Sequence, residues 1–293
     1  MPTFDTHEPI AATIELAVGD VLITATDRTN TVVEVRPSDV GHGPDVQAAE
    51  QTRVFYDAGR LLVKGPQQRG IGLFNKIGSI DLTIELPTGS QLDCAAALVA
   101  VRCIGRLGEC RIKTSTGDIR LEDTGPLEVT TCGSITVGRV AGDAELNTSN
   151  GRLRARQVDG SAKLDNSNGT TWVGEVGGTL RASSANGDIV IDRAATEVTA
   201  ATANGDIRIG ELTNGVASAK TSMGRVELGI RPGTAARLDV HTSFGRVHNE
   251  LAATDSPGTS DGRVDVRART SYGDIVIRRS TPTTDNTERG DEK

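Results

Sequence analysis

A short motif centred on glycine recurs through the second half of the chain. Its form is [TS]-[TSA]-x-G-[DR]-[IV]-x-[VIL], as in TSTGDIRL, SANGDIVI and TSYGDIVI. The central glycines are Gly117, Gly133, Gly151, Gly169, Gly187, Gly205, Gly224, Gly245 and Gly273. Their successive spacings are 16, 18, 18, 18, 18, 19, 21 and 28 residues. This regularity indicates a repeat architecture, in which each unit buries its apolar face against its neighbours.

A second turn falls halfway through the repeat. Gly142, Gly160 and Gly178 each follow a motif glycine by nine residues. The half-repeat leaves room for a strand of normal length, about 18 Å at roughly 3.3 Å per residue. The sequence therefore predicts an all-β fold, a single-stranded β-solenoid (β-helix) with coils of about 18 residues and two strands per coil.

Apolar and polar residues alternate after each motif glycine, which is typical of half-buried strands. The residues two places after the glycine are predicted to form one inward column: Ile119, Ile135, Leu153, Thr171, Ile189, Ile207, Val226, Val247 and Ile275. Stacked coils would set its members about 4.8 Å apart. The intervening Arg120, Arg154 and Arg208 are expected on the outer face, where opposite charges in neighbouring coils can pair.

The residue before the motif glycine is asparagine in four consecutive repeats, at Asn150, Asn168, Asn186 and Asn204. Asn-Gly favours a tight turn, and stacked amides can hydrogen-bond along the axis. The last three motifs replace this asparagine by Met223, Phe244 and Tyr272, which predicts a different coil cross-section there.

Asn-Gly-Asp could alternatively bind Ca²⁺. Only Asp188 and Asp206 follow Asn-Gly in successive repeats, and the glycine pattern of Ca²⁺-binding nonapeptides is absent. We therefore expect no metal and no cofactor.

The chain divides into three predicted regions. Residues 1–78 contain strand-like runs and are predicted to form a β-rich N-terminal cap, because a solenoid must hide its terminal edge. Residues 79–279 form the predicted β-solenoid domain, which the segment LAATDSPGTSDGR lengthens in its final coil. Residues 280–293 are polar and are predicted to be a disordered tail.

Composition excludes several functions. The chain of 293 residues carries 39 acidic and 32 basic residues, a net charge of −7, so it lacks the cationic excess that nucleic-acid binding requires. No apolar run is long enough to span a membrane, and residues 1–15 do not resemble a secretory signal. These observations predict a cytoplasmic protein that is not membrane-spanning.

The cysteines have no metal-binding spacing. Cys94, Cys103, Cys110 and Cys132 are separated by 9, 7 and 22 residues, and no CxxC pair occurs. We interpret them as small hydrophobic residues in a reducing environment, with a zinc site or a disulfide as the alternatives.

A catalytic site is not evident. Asp118, Asp188, Asp206 and Asp274 follow motif glycines, but only Asp188 and Asp206 occur in adjacent coils, where two carboxylates would repel each other. Trp172 is the single aromatic residue on its face, whereas sugar-binding platforms favour stacked rings.

His241, His248 and Glu250 flank one turn and could hold a metal, although solvated edge residues are the simpler interpretation. The remaining histidines, His7 and His42, lie in the predicted cap. We predict no catalytic, cofactor-binding or metal-binding residues and no enzyme activity.

The repeat resembles a bacterial family of β-strand-repeat proteins labelled "putative adhesin", a domain of unknown function. The resemblance rests on the nine motifs, on the preceding segment ELPTGSQL at 85–92, on VGDVLI at 18–23 and on GRLLVKGP at 59–66. It covers most of positions 10–280. It implies the solenoid fold and no catalytic residues to assign to this chain.

These features favour a non-catalytic, adhesin-like β-solenoid that binds or scaffolds an unknown protein or envelope partner and could self-associate. Two alternatives stay open at this point: a carbohydrate-binding or carbohydrate-active β-helix protein, and a bactofilin-like self-assembling polymer.

Overall fold

The computed structural model describes residues 1–66, 78–251 and 262–280. Within these residues the chain forms 25 β-strands and one short α-helix, and all the strands belong to one hydrogen-bonded network. The predicted disordered tail lies outside the described residues, except for Ser280. The all-β solenoid predicted from the repeat is confirmed.

The N-terminal part comprises seven strands and the helix: β1 (Thr3–Asp5), β2 (Ala11–Thr26), β3 (Asn30–Pro37), α1 (Gly43–Gln51), β4 (Arg53–Asp57), β5 (Arg60–Lys64), β6 (Ile80–Pro87) and β7 (Gln91–Arg106). The repeats follow as β8 (Cys110–Thr116), β9 (Ile119–Thr124), β10 (Leu127–Thr131), β11 (Ile135–Val140), β12 (Ala144–Thr148), β13 (Leu153–Val158), β14 (Ala162–Asn168), β15 (Thr171–Val176), β16 (Leu180–Asn186), β17 (Ile189–Ala194), β18 (Val198–Asn204), β19 (Ile207–Leu212), β20 (Gly215–Met223) and β21 (Val226–Ile230). The C-terminal strands are β22 (Ala235–Phe244), β23 (Val247–Asn249), β24 (Arg263–Tyr272) and β25 (Ile275–Arg279).

Each repeat contributes one strand to each of two parallel layers. The strands that follow a motif glycine, such as β9, β11 and β13, pair with one another in parallel and form what we call the front layer. The strands that precede it, such as β8, β10 and β12, form the back layer. The core lies between the two layers, because the apolar side chains of both alternate inward.

The predicted inward column is confirmed. Ile119, Ile135 and Leu153 are successive register partners, and the column continues through Thr171 to Ile189 and Ile207. All of these side chains are buried. The aliphatic core is therefore shared between coils, and a single coil could not bury it alone.

The motif requires glycine because successive turns stack backbone on backbone. At Gly205, φ is +147°, and a Cβ added there would lie 2.3 Å from the carbonyl oxygen of Gly187. Gly187 stands in the same relation to Gly169, at 2.1 Å. A side chain would clash with the adjacent coil and would strain the backbone.

A ladder of threonines, which the sequence reasoning missed, supports the same turns. In several repeats the residue three places before the motif glycine is a threonine that points inward and donates its hydroxyl to the glycine carbonyl of an adjacent coil. Thr221 Oγ1 donates to Gly205 O at 3.0 Å, and Thr202 Oγ1 donates to Gly187 O at 3.1 Å. In these coils the first position of the repeat motif therefore supplies a hydrogen-bond partner for a partly buried glycine carbonyl.

The N-terminal strand β2 lies inside the stack. It pairs in parallel with β7 on one side and with β5 and β6 on the other. Antiparallel strands then close the end, since β3 pairs with β6, β4 pairs with β5, and β1 pairs with β3. The rings of Phe4 and Tyr56 stack across this closure with centroids 4.9 Å apart. Residues 1–66 therefore contribute strands to the stack as well as a cover at this end, and the boundary of the predicted cap at residue 78 stays a prediction.

The last two coils are stacked in the reverse of their sequence order. β24 lies between β20 and β22, and β25 lies between β21 and β23. The segment expected to lengthen the final coil lies almost wholly outside the described residues. The strands that follow it, β24 and β25, lie between the two preceding coils. Among the described residues, the coil of β22 and β23 is consequently at the end of the stack.

Candidate functional site

The aspartates that follow motif glycines are engaged in linking coils. Asp188 Oδ1 accepts the backbone N–H of Asp206 at 2.8 Å, and Asp206 Oδ1 accepts that of Arg225 at 2.7 Å. Asp274 Oδ1 likewise accepts the N–H of Arg246 at 2.8 Å. Each carboxylate binds a backbone donor one coil away, which is a structural role and explains the aspartate in the repeat.

The predicted asparagine ladder is present over three coils. Asn186 Nδ2 donates to Asn168 Oδ1 at 3.0 Å, and Asn204 Nδ2 donates to Asn186 Oδ1 at 2.9 Å. Asn168 instead donates to the carbonyl of Ser149 at 3.2 Å, so Asn150 is not part of this amide chain. Across residues 1–66, 78–251 and 262–280 no group of three His, Cys, Asp or Glu side chains could hold a metal ion.

The same column becomes apolar at the end of the stack. Asn204 is the register partner of Met223, which is followed by Tyr272 and then by Phe244. The rings of Tyr272 and Phe244 stack with centroids 4.8 Å apart and planes 9° apart. Met223 and Tyr272 are each 55% exposed and Phe244 is 65% exposed. We call Met223, Tyr272 and Phe244 the aromatic edge.

The histidines that flank this turn do not join the aromatic edge in a catalytic arrangement. His241 lies on the outer side of β22 opposite Arg269, and His248 lies on β23 opposite Val276. His42 is in the cap, where its Nδ1 lies 2.7 Å from Asp45 Oδ1. Asp45 also accepts the backbone N–H of Ser79 at 2.9 Å, so this pair fastens the helix N-terminus to the start of β6.

The outer faces carry ion pairs between neighbouring coils. Glu128 accepts hydrogen bonds from Lys113 and Arg111, and Glu145 accepts one from Lys163. The pKa of each glutamate is lowered, chiefly by the hydrogen bond from its lysine. Both carboxylates are therefore held in the ionised form.

Trp172 packs with a cation on the front layer. The guanidinium of Arg154 lies 4.4 Å from the centre of its ring, so this arginine makes a cation–π contact with the next coil. Asp192 is nearby, and partial burial raises the pKa of its carboxyl group, an effect that a hydrogen bond from Trp172 opposes.

The cysteines are unpaired thiols in the described residues. Cys94, Cys103 and Cys110 are buried, and Cys132 is partly exposed. Burial raises the pKa of Cys94 and of Cys110 to about 12, and it also raises that of Cys103. These three thiols are small apolar core residues and are poor nucleophiles at neutral pH.

Stacked two-strand coils with a covered N-terminal end define a β-solenoid. Residues 11–281 match the model of the family described as Toastrack DUF4097, and the chain belongs to this family. No curated protein matches the chain.

None of the helices formed by the described residues is long and apolar enough to cross a membrane. The cytoplasmic location stays a prediction.

Three solved structures of bacterial proteins align with this chain over almost its whole length at low sequence identity. One, a "putative adhesin" from Bacteroides fragilis, is 15% identical, with 94% of this chain and 96% of that chain covered and a TM-score of 0.35. Another, from Parabacteroides merdae, is 11% identical, with 94% of each chain covered and a TM-score of 0.35. A "putative cell adhesion protein" from Clostridium sporogenes is 11% identical, with 95% and 98% covered and a TM-score of 0.23.

Proposed function

We propose that this protein is a non-catalytic β-solenoid binding and scaffold module that contacts a protein or envelope partner through its aromatic edge. The observation that carries the proposal is the exposure of Met223, Tyr272 and Phe244 side by side. The same column is occupied by hydrogen-bonded asparagines in the preceding coils. Exposed, contiguous aromatic residues are enriched at protein interfaces, where they contribute most of the binding energy.

The engaged carboxylates support a non-catalytic function. Glycoside hydrolysis needs one protonated carboxylic acid and one carboxylate facing a sugar. Asp188 and Asp206 each bind a backbone N–H of the next coil, and Glu128 and Glu145 have lowered pKa values. The lowered pKa values keep Glu128 and Glu145 ionised at neutral pH, and the hydrogen bonds of Asp188 and Asp206 commit one oxygen of each carboxylate to the backbone.

The test compares partner recovery by three forms of the full-length protein in native cells, by quantitative crosslinking. We expect the wild-type protein to crosslink a specific partner and the double variant Tyr272→Ser/Phe244→Ser to lose it. Leu98→Ser is the matched control, because Leu98 occupies the same column near the N-terminal end and is 51% exposed. Equal recovery by all three forms would refute the aromatic edge as the contact surface.

A polysaccharide panel tests the absence of catalysis. We expect no hydrolase or lyase activity with the wild-type protein. Activity that is lost in Asp188→Asn or Asp206→Asn would show that the protein is an enzyme, and the proposal would be wrong.

Carbohydrate binding is a second candidate, and the stacked rings of Tyr272 and Phe244 favour it. One face of each ring is used in the stack, and the large exposed fraction of Phe244 leaves it accessible to an apolar sugar face. Saturable binding of a soluble glycan, measured by calorimetry and abolished in Phe244→Ser, would support this candidate over a protein partner.

A further inference from the structure

The terminal coil leaves its inward side chains partly uncovered. Ala236, Leu238 and Val240 on β22 are only partly buried, although they continue the core column. Their register partners on β24 are Val264, Val266 and Ala268, which are at most 1% exposed. The difference arises because β24 has a coil on each side, whereas β22 has a described coil on one side only.

The two ends of the stack differ in how their edges are treated. At the N-terminal end, β3 and β4 pair in antiparallel fashion with the outermost strands. At the other end, β22 has β24 as its one strand partner within the described parts of the chain. A strand with one open edge beside a half-open apolar core is a template for pairing with another chain.

We propose that a second copy of this chain docks on the terminal coil, with the two β22 strands antiparallel across a two-fold axis at Leu238. In an isologous contact of this kind, residue i of one copy faces residue j of the other, and the reverse pair repeats across the axis. Arg237 of each copy then faces Asp239 of the other, and Ala236 faces Val240. The proposal is independent of the identity of any other partner.

The charge pattern of β22 favours this register over the two registers next to it. The apolar side chains of both copies stay on the core side only if inward residues lie opposite inward residues. The two β22 strands can therefore shift relative to each other only by steps that keep this match. A shift by one such step in one direction places Arg237 opposite Arg237 of the other copy. A shift by one step in the other direction places Asp239 opposite Asp239. Like charges directly opposite each other are destabilising, whereas opposite charges stabilise the pair.

The side chains are placed for this contact. Arg237 and Asp239 are exposed on the outer side of β22, with Leu238 between them on the core side. The Asp239 carboxylate already accepts a hydrogen bond from Arg269 at 3.0 Å, and its side chain remains 60% exposed. It can therefore accept a second guanidinium from the partner copy.

Sedimentation equilibrium of the full-length protein over a concentration series, up to about 1 mM, tests the proposal. We expect a monomer–dimer equilibrium in the wild-type protein. Arg237→Asp sets Asp against Asp239 in both symmetry-related pairs, and we expect the dissociation constant to rise at least about tenfold. The double variant Arg237→Asp/Asp239→Arg restores opposite charges in the same register, and we expect it to dimerise again.

The matched control is Arg181→Asp, a charge reversal at an exposed position of the interior strand β16, which should leave dimerisation unchanged. Three outcomes would overturn the proposal: a monomer throughout the series, as expected if the chain covers its own edge; an open-ended polymer, which requires a head-to-tail contact; or a dimer that the double variant fails to restore. Loss of partner crosslinking in the Tyr272→Ser/Phe244→Ser variant is a separate readout, so failure of one proposal does not imply failure of the other.

Discussion

Val226 and Ile275 are register partners in adjacent coils, although the chain forms the whole coil of β22 and β23 between them. Val247, which precedes Ile275 in sequence, lies on the far side of Ile275 from Val226. The last coil of the sequence is therefore an interior coil of the structure. It shares its core with two neighbours, and the terminal coil depends on it for its own packing.

The stacking order predicts different costs for two truncations in one column. Ile275 is fully buried, and Ile275→Ala should lower the free energy of unfolding by about 2–5 kcal/mol through lost burial and a residual cavity. Val247→Ala, at a position that is 44% exposed in the terminal coil, should cost less than about 1 kcal/mol. Urea unfolding followed by circular dichroism measures both. If the coils stacked in sequence order, Val247 would be the interior residue and the larger cost would fall on it.

The threonine ladder predicts a position-dependent effect of replacing hydroxyl by methyl. Thr221→Val removes the donor to Gly205 O from a side chain that is 2% exposed, and should cost about 1–3 kcal/mol because a partly buried carbonyl loses its partner. Thr199→Val, on the outer side of β18, should stay within about 0.5 kcal/mol of the wild-type protein. Equal effects of the two variants in thermal or urea unfolding would contradict the assigned role of the ladder.

The thiols should differ sharply in reactivity. With pKa values of about 12, Cys94 and Cys110 carry almost no thiolate at pH 8, and Cys103 is shielded in the same way. We expect iodoacetamide to label Cys132 alone in the native protein and all four cysteines in denaturant. Cys132→Ser should abolish native labelling. Rapid modification of Cys110 in the native state, detected by peptide mass spectrometry, would be inconsistent with its burial.

The hydrogen bonds of Asp45 predict that the contact between α1 and the start of β6 loses stability in acid. Its pKa lies below the usual 3.8, chiefly because the backbone N–H of Ser79 and the ring of His42 bind its ionised form. A group whose pKa is depressed on folding stabilises the native state above its unfolded pKa, and this contribution disappears as the pH falls through the folded pKa. Amide exchange around Ser79 should therefore accelerate below pH 3.8 in the wild-type protein.

The variant Asp45→Asn should exchange faster around Ser79 already at neutral pH, with a weaker dependence on acid. Asp57→Asn, at an exposed position of β4, serves as the control. An unchanged acid dependence in Asp45→Asn would mean that another group fastens the helix to β6.

The repeat predicts which residues share a column but not the order of the coils. Ile207, Val226 and Ile275 occupy equivalent motif positions, so each could stack on any other without disturbing the alternation of inward and outward side chains. The choice depends on the connections and on the energy of the terminal edges. These are properties of the whole stack rather than of a local window.

The arrangement of the aromatic edge could not be predicted from the sequence for the same reason. Met223, Phe244 and Tyr272 are recognisable in the sequence as departures from Asn-Gly, but the stacking of Tyr272 between the other two follows from the reversed order of the last coils. The aspartates after motif glycines could be located from the sequence. Their hydrogen bonds to backbone donors became evident only when the neighbouring coils were placed beside them.

Engineered disulfides in a Cys132→Ser background test the reversed order of coils most directly. Adjacent coils place Met223 and Tyr272 about 4.8 Å apart at Cα, within the range of up to about 6.8 Å that a disulfide spans. Met223 and Phe244 are separated by two coils, about 9.6 Å. We predict that Met223→Cys/Tyr272→Cys forms a disulfide on mild oxidation of the folded protein and that Met223→Cys/Phe244→Cys does not. The opposite result, a crosslink only between positions 223 and 244, would show that the coils stack in sequence order and would contradict the account.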